Sequence, residues 1–404
     1  MKLVRARWPI VGLMIQSGFA RCANQMAAIV YGWAIQQQTG SGLAAGFVMA
    51  ASVGALVVGT LFAGRIVARW GVRRVALSGA WVSALSACVI ASLFAAGHAD
   101  PLTIAAVAAL GAVLDGPATI AVETNFPAVA RLARVRLLSL NAVNESLEHL
   151  AALMAPAVGV AIMAVAGSSA GVAAVAGLSL LGATILTAAL PPFRTLQTAR
   201  ATRLRTIVDW LSRDRLVCAL VVLLSLAVSL LASIQLVILP LALGHRGDGA
   251  QGLAMFLAMF GVGGLLGALG AGIYKGAIAF RWLLPIVFLC LAIATTFLVA
   301  STSAFNLAIG GLLSGACVGF VSPPLATALQ QRPPKHLRAD IQAISGALIF
   351  AGAPVAMVGL GLLSEALRAG DLLSIVAGGF VVLAACALVA VPGNGHRTDQ
   401  TASK

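Results

Sequence analysis

The sequence predicts an all-α membrane protein, and the composition and the length of the apolar runs are the reasons. Only 9% of the 404 residues are charged and 60% are hydrophobic, whereas a soluble domain carries roughly 25% charged residues. So little polar surface cannot cover a water-exposed fold of this size, which argues against a soluble globular protein, a disordered chain and a nucleic-acid binder. The runs are long and unbroken, unlike the alternating segments of a membrane barrel, so the spans are predicted to be helices.

Twelve apolar segments are long enough to cross a bilayer. A spanning helix needs about 20 apolar residues, because the hydrocarbon core is roughly 30 Å thick. Cutting the runs at charged and turn residues gives predicted spans at 8–35, 43–67, 75–97, 102–129, 137–166, 170–190, 216–243, 250–274, 282–300, 303–329, 339–366 and 372–391. The first run is longer than a typical signal-peptide core, so we expect it to be an uncleaved span.

The basic residues test this division, because loops on the cytoplasmic side of a membrane are rich in Lys and Arg. If both termini are cytoplasmic, 23 of the 26 basic residues fall in the tails and in the loops of that side. Arg246 and Arg368 fall in outside loops, and Arg21 lies within the first span. A wrong number of spans would distribute the basic residues over both sides of the membrane, so we predict twelve transmembrane helices with cytoplasmic termini.

The longest polar stretch, 191–215, carries six arginines and separates six spans from six. We therefore expect an N-terminal six-helix bundle at 1–190, a cytoplasmic central loop at 191–215, a C-terminal six-helix bundle at 216–391 and a cytoplasmic tail at 392–404. The part of the loop at 201–211 is expected to be either an interfacial helix or a flexible basic linker.

The two halves repeat weakly. Pro117 and Pro127 are ten residues apart, as are Pro323 and Pro333, with a shift of 206 between the pairs. Repeats of this kind place a binding site near mid-membrane, between the halves. Prolines inside spans are expected either to kink helices around a cavity or to serve ordinary packing. The candidates for kinks are Pro117, Pro156, Pro323 and Pro354.

Several stretches resemble one known family. They are, in order, Gln25-Met26 with Gly32-Trp33, the loop from Gly64 to Arg74, Gly116-Pro117, and Ala155-Pro156 with Gly159. On these motifs the chain resembles the major facilitator superfamily over nearly its whole length. It looks most like the proton-driven drug efflux branch, which includes macrolide and enterobactin exporters.

The resemblance implies the major facilitator fold, with two six-helix bundles and rocker-type alternating access. It assigns a gating role to the loop between spans 2 and 3, whose matching residues are Gly64, Arg65, Arg69, Gly71, Arg73 and Arg74. Some positions depart from the family pattern. Ala68 stands where the loop usually has an acid that helps to lock the cytoplasmic gate, and Asn24 stands where the efflux branch has a first-span acid. Ala155 replaces a glycine of the antiporter signature, and Val160 replaces another.

Ionisable side chains inside the membrane are the most informative residues. A charge at mid-bilayer costs from about 3 kcal/mol upward, so it usually faces a cavity or a partner. From the rise of an α-helix, Arg21, Asp115 and Glu148 lie about 16–22 Å from the cytoplasmic ends of their spans. Glu123 and Glu145 lie at about 10–12 Å. The proton-coupling candidates are Arg21, Asp115, Glu123, Glu145, Glu148 and His149.

The interior of the first half contains one fixed cation and four acids. One guanidinium cannot compensate four carboxylates in a low dielectric, so we expect some of these acids to hold a proton near neutral pH. Our hypothesis is that Arg21 pairs with Asp115 or Glu148 and that another acid exchanges the proton. A static interhelical salt bridge between Arg21 and Asp115 is the structural alternative.

Structural roles also stay open for the other candidates. Glu123 and Glu145 are alternatively a cytoplasmic-gate pair bonded to loop arginines such as Arg65 or Arg131. His149 is either a hydrogen-bonded helix contact or a proton relay.

The predicted substrate cavity is polar in the first half and largely apolar in the second. The acids Asp340 and Glu365 lie at span ends, where we expect them to be solvated. The main polar side chains of the second half are Gln235, Asn306, Gln330 and Gln342. Such a cavity suits a moderately hydrophobic solute that is cationic or zwitterionic. The substrate-binding candidates are Gln16, Asn24, Gln25, Trp33, Asn141, Asn144 and Gln235.

We expect a secondary active transporter that exports a small amphiphilic compound, such as a drug or a siderophore, in exchange for protons. The alternative is a carrier of lysophospholipid or another lipid, because the region of spans 4 and 5 also resembles bacterial lysophospholipid transporters. A receptor or scaffold is a third possibility, although we expect the short tails to leave no room for a signalling domain.

No nucleophile–base arrangement or phosphate loop is evident, so we expect neither an enzyme nor a cofactor. The six cysteines are scattered through the spans without a CxxC or Cys/His cluster, so no metal site or disulfide is predicted. The expected partners are a small-molecule substrate, protons and membrane lipids, with no nucleic acid. We expect a monomer in the bacterial cytoplasmic (inner) membrane.

Overall fold

A computed structural model describes residues 2–39, 42–98, 100–190, 204–243, 249–274, 279–300, 303–334, 336–363 and 366–391. All regular structure within these stretches is helical. Ten helical segments of this described part are long and apolar enough to cross a membrane. The predicted all-α membrane fold is therefore confirmed at this level.

The first half of the chain forms seven helices within its described residues. They are α1 (Lys2–Thr39), α2 (Gly42–Trp70), α3 (Val72–Ala95), α4 (Pro101–Thr124), α5 (Phe126–Leu132), α6 (Leu137–Ala166) and α7 (Ser168–Ala189). The second half follows with α8 (Leu204–Arg213), α9 (Arg215–Ser233), α10 (Leu239–Leu243), α11 (Gly249–Ile273), α12 (Phe280–Ala300), α13 (Ala304–Gln331), α14 (Arg338–Leu363) and α15 (Ala369–Ala390). The long helices α1 and α14 lie outside the set of ten.

Each predicted span falls on a helix, but two spans are interrupted. The predicted span 102–129 is divided between α4 and α5, with a break at Asn125. Pro127 follows the break, and it lacks the N–H that would continue the hydrogen-bond ladder of α4. The predicted span 216–243 contains a π-helical segment, Ile234–Ile238, between α9 and α10. Gln235 lies in this segment.

The central polar stretch contains a helix. Helix α8 covers Leu204–Arg213, with Ile207 and Leu211 buried on its apolar face. Residues 191–203 lie outside the described part of the chain, so the predicted boundaries of the central loop remain predictions.

Internal contacts divide the chain into two units. Unit 1 is Met1–Leu204 with Leu329–Ala347, and unit 2 is Arg205–Ala328 with Leu348–Lys404. The end of α13 and the start of α14 therefore pack with the first half of the sequence. We refer to residues 329–347 as the crossing segment.

Unit 1 has two large apolar clusters among its described residues. Helix α1 packs against α2, α6 and α7, and α4 packs against α2 and α3. The first cluster includes Val30, Ile35, Phe94, Ile104 and Val172. The second cluster includes Leu13, Val75, Phe126, Leu137 and Leu186. These clusters hold the helices that carry the polar residues of the predicted site.

Unit 2 has one large apolar cluster, and its helices α11 and α13 pack through glycines. A Cβ atom at Gly315 would meet the carbonyl oxygen of Phe260, and one at Gly263 would meet that of Leu312. Small residues allow two membrane helices to approach backbone to backbone. These glycines therefore allow a close contact between α11 and α13.

Caps and turns explain several helix ends. Asp100 precedes α4 and accepts hydrogen bonds of 2.9 Å from the backbone N–H and the hydroxyl of Thr103. Pro101 occupies the first turn, where a missing N–H costs nothing. Gly71 separates α2 from α3 with φ of 82°, a conformation that favours glycine.

Candidate functional site

A layer of polar side chains lies between the two apolar clusters of unit 1. Along α1, Arg21 falls between Leu13 of the second cluster and Val30 of the first. Asp115 on α4 and Glu148 on α6 likewise fall between cluster residues. The apolar packing above and below therefore fixes three helices around one polar site.

Arg21 is the cation of this layer and contacts two acids. Its Nη1 pairs with Oε2 of Glu148, and its Nη2 lies 3.5 Å from Oε1 of Glu123. The side chains of Arg21, Glu123 and Glu148 are 18%, 27% and 34% exposed. Of the two partners proposed for Arg21, the structure thus places Glu148 beside it. Glu123 points to Arg21 rather than to the loop arginines.

Two carboxamides donate hydrogen bonds to the acids that contact Arg21. Gln25 donates from Nε2 to Oε1 of Glu148 at 2.9 Å, and Asn144 donates from Nδ2 to Oε1 of Glu123 at 3.3 Å. These two bonds flank the ion pairs of Arg21.

Asp115 has a carboxamide partner of its own. It accepts a hydrogen bond of 2.9 Å from Nδ2 of Asn24, and the ion pairs of Arg21 go to other acids. The static salt bridge between Arg21 and Asp115 is therefore absent from this structure. Asn24, which stands in place of the family's first-span acid, instead holds an acid on α4.

Glu145 and His149 complete the ionisable group on α6. Glu145 interacts electrostatically with Arg21 and Glu123, and His149 interacts with Arg21. The Nε2 atom of His149 is buried without a hydrogen-bond partner. His149 therefore interacts with Arg21, and its Nε2 atom forms no hydrogen bond to a neighbouring helix.

The other predicted lining residues differ in burial and position. Gln16 is buried on α1, whereas Trp33 is 51% exposed. Trp33 is twelve residues from Arg21 in sequence, or about 18 Å along the helix. Gln235 belongs to unit 2, where it is half-buried.

The crossing segment makes one buried and one partly buried polar contact within unit 1. Asn141 on α6 donates from Nδ2 to Oε1 of Gln330 at 3.1 Å, and both residues are 1% exposed. Thr124 donates to Oε1 of Gln342 at 2.9 Å. Gln330 and Gln342 lie in the second half of the sequence, but they accept hydrogen bonds from residues of the first half.

An apolar cluster and the acid Asp340 add to the contact between the crossing segment and the helices of the first half. Ala63, Ile120 and Ala343 form a small buried cluster. The carboxylate of Asp340 lies against the Cα of Gly64, and Asp340 is only 7% exposed. The expectation that Asp340 is solvated at a span end was wrong, because the packing of α14 against α2 excludes solvent. Glu365 lies outside the described residues.

The loop between α2 and α3 presents basic side chains around Gly71. Arg65 lies with its guanidinium carbon 5.8 Å from the centre of the Phe62 ring, a cation–π arrangement. Arg69 lies in the last turn of α2, and Arg73 and Arg74 are exposed at the start of α3. Only Gly64 of the predicted gating residues is buried at the crossing segment.

The proline candidates for kinks all fall within helix bounds. Pro117 lies in α4, Pro156 in α6 and Pro323 in α13, and Pro354 falls within the bounds of α14. A metal-binding group of His, Cys, Asp and Glu is absent from the described residues. All six cysteines are free.

A helical membrane fold with a partly buried layer of ionisable side chains is typical of membrane transporters. The model of the Major Facilitator Superfamily matches residues 13–357, and the chain belongs to this family. It is therefore a multi-pass membrane protein that transports small molecules, and it is not an enzyme.

Two related proteins are both named multidrug efflux pump Tap. The multidrug efflux pump Tap of Mycolicibacterium fortuitum is 29% identical over 378 residues, which cover 89% of this chain and 90% of the relative. The multidrug efflux pump Tap of Mycobacterium tuberculosis is 26% identical over 377 residues, with 89% and 88% covered.

Solved structures share the fold at low identity. The human organic anion transporter MFSD10 (TETRAN) superposes with a TM-score of 0.75 at 14% identity, covering 95% of this chain and 99% of that one. The Escherichia coli fucose:proton symporter FucP gives a TM-score of 0.73 at 14% identity, with 95% and 98% covered.

Proposed function

We propose that this transporter is a proton-coupled exporter of small amphiphilic compounds. The observation that carries the proposal is the placement of Arg21 between Glu148 and Glu123. A proton that binds to either acid removes one negative charge from a partly buried ion pair, so it changes the net charge around Arg21. The relatives named multidrug efflux pumps, at 26–29% identity, support export of drug-like molecules.

The membrane arrangement belongs to the same proposal. Helices α1 and α14, added to the ten apolar segments, would give twelve spans with both termini in the cytoplasm. Two six-helix bundles, 1–190 and 216–391, would be joined by the loop 191–215 and followed by the tail 392–404. The excess of basic residues in alternate loops supports this orientation. We place the protein as a monomer in a bacterial cytoplasmic membrane, which agrees with its bacterial relatives.

The crossing segment is proposed to be the cytoplasmic gate in its closed state. Its contacts join α2, α4 and α6 through Gly64, Thr124 and Asn141. Alternating access requires these contacts to break and re-form. Because Ala68 stands where the gating loop usually has an acid, we propose that Asp340 of α14 supplies an acid at this gate.

The polar layer is proposed to serve both the proton and the substrate. Glu148 and Glu123 would exchange the proton, with Asp115, Glu145 and His149 tuning the charge around Arg21. A net excess of carboxylates favours a substrate that is cationic or zwitterionic. The residues proposed to line its path are Gln16, Asn24, Gln25, Trp33, Asn141, Asn144 and Gln235.

Reconstitution in liposomes with an imposed pH gradient tests this function. The panel contains drugs and dyes, with ethidium as the reference cation, beside a lysophospholipid. We expect proton-dependent transport of dye or drug, which Glu148→Gln abolishes and the exposed-site control Asp209→Asn preserves. Lysophospholipid movement without proton dependence would overturn the proposal in favour of a lipid carrier.

A further inference from the structure

Two carboxylates in unit 1 share one guanidinium, and each also receives one carboxamide. Glu148 pairs with Arg21 and accepts a hydrogen bond from Gln25 at 2.9 Å. Glu123 lies 3.5 Å from Arg21 and accepts a hydrogen bond from Asn144 at 3.3 Å. The cation therefore stands between two acids that each have an amide partner, Glu148 on α6 and Glu123 on α4.

The charge of this group depends on a single proton. With both acids ionised, Arg21, Glu123 and Glu148 together carry one negative charge, and one bound proton makes them neutral. The guanidinium stays charged at every physiological pH, so the proton must sit on an acid. A neutral acid attracts Arg21 less than an ionised one does, so the position of the proton decides where Arg21 pairs.

A carboxamide can serve an acid in either protonation state. Its NH2 group donates to an ionised carboxylate, and its carbonyl oxygen accepts from a protonated one. A half-turn of the amide group exchanges these roles. The acid thus keeps a partner in both states, whereas Arg21 only donates and is free to leave the acid that takes up the proton.

We propose that Gln25 and Asn144 are positioning residues that hold Glu148 and Glu123 in both protonation states, so that a proton on one acid transfers Arg21 to the other. This inference rests on the proposed proton-coupled function. It adds the side chains that let Arg21 move reversibly between the two acids. Transfer of Arg21 changes whether α1 is tied by charge to α6 or to α4. Proton binding would in this way alter the connection between helices.

Other ionisable groups surround the same site. Asp115, Glu145 and His149 all interact electrostatically with Arg21, so the test variants keep them intact. Helices α1 and α3 also carry Cys22, Tyr31 and Cys88. Helix α7 has no ionisable residue, and the arginines of α2, α3 and α5 lie within six residues of an end of their helices. The crossing segment contributes Asp340, which lies at Gly64.

A double-mutant cycle on thermal stability in detergent tests the shared guanidinium without any transport assay. Glu123→Gln or Glu148→Gln alone leaves Arg21 one acid of the pair, whereas the double variant removes both. We expect the Tm loss of the double variant to be at least about twice the sum of the single losses. Additive losses would show that the acids are not alternative partners and would overturn the inference. Asp209→Asn combined with Glu148→Gln is the matched control and should be additive.

The pH profile of ethidium transport in proteoliposomes tests the carboxamides. Gln25→Met and Asn144→Leu keep the approximate side-chain size but remove the amide. An amide hydrogen bond is stronger to an ionised acid than to a neutral one, so each variant should move the profile midpoint upward by about half a pH unit or more. Gln25→Asn should retain part of the wild-type profile, and the exposed control Gln38→Met should retain all of it.

The two possible failures are distinguishable. A proton-coupled wild type whose profile is unchanged in Gln25→Met and Asn144→Leu overturns this inference alone. A wild type without proton-dependent transport overturns the proposed function and this inference with it.

Discussion

The carboxylate of Asp340 lies directly against the Cα of Gly64, so α14 approaches α2 where α2 has no side chain. A Cβ atom at position 64 would overlap the Asp340 side chain and lie 2.7 Å from its Cα. Backbone as well as side chain would have to move to admit a methyl group. The contact therefore leaves no room for a Cβ atom at the start of the loop motif.

Gly64→Ala should weaken the packing of the crossing segment. Overpacking of this kind costs about 1–3 kcal/mol, so we expect a lower Tm in detergent and slower transport. Gly54→Ala on the same helix is the matched control, because a Cβ there meets nothing within 4 Å. Equal stability of the two variants would contradict the close contact.

The buried pair of Asn141 and Gln330 should also be needed for stability. Gln330→Met removes the acceptor and leaves the Asn141 amide with one hydrogen bond fewer, which typically costs about 1–3 kcal/mol. We expect a clear fall in Tm. The adjacent Gln331→Met changes an exposed residue and should have little effect. If both variants unfold at the same temperature, the contact is not formed in the protein.

In unit 2 the glycine contacts of α11 and α13 should not tolerate a methyl group. Gly315→Ala would place Cβ onto the carbonyl oxygen of Phe260 and 2.7 Å from its carbon. We expect low yield of folded protein on size-exclusion chromatography. Gly378→Ala on α15 has open space around it and should give a normal yield. A monodisperse Gly315→Ala protein with wild-type Tm would contradict the packing of these helices.

The cap of α4 should make stability depend on pH in the acid range. Hydrogen bonds from the backbone and hydroxyl of Thr103 lower the pKa of Asp100 below its ordinary value of 3.8. A lowered pKa means that the ionised cap stabilises the folded state above that ordinary value, and the contribution is lost as the pH falls through the lowered pKa. Asp100→Asn removes the titration but keeps a capping side chain.

Melting curves in detergent between neutral and strongly acidic pH can measure this effect. The wild type should be more stable than Asp100→Asn near neutrality, and the difference should shrink below about pH 4. A difference that stays constant down to the lowest pH would mean that the carboxylate charge does not stabilise the helix.

Much of the fold could be predicted from the sequence, because a bilayer imposes long apolar helices. All twelve predicted spans fall on helices, since segment length and hydrophobicity are local properties. The pairing of Arg21 with Glu148 was also within reach, because membrane-depth charges need partners. The choice of Glu148 over Asp115 was not, since it depends on helix rotation and on which amide reaches which acid.

The crossing segment was beyond sequence reasoning. Gln330, Gln342 and Asp340 belong by position to the second half, but their packing partners lie in the first. The contacts bridge long sequence separations, and neither periodicity nor composition reports them. The one available signal was the presence of polar side chains near the ends of otherwise apolar spans, and it does not name their partners.

Proton movement during substrate transport is the most direct measurement of the proposed coupling through Arg21 and its acids. Proteoliposomes that enclose a pH-sensitive dye would report proton flux when ethidium is added without an imposed gradient. We expect substrate addition to drive a proton flux in the wild type and in Asp209→Asn, and no flux in Glu148→Gln. Ethidium transport by the wild type with no accompanying proton flux would contradict proton coupling.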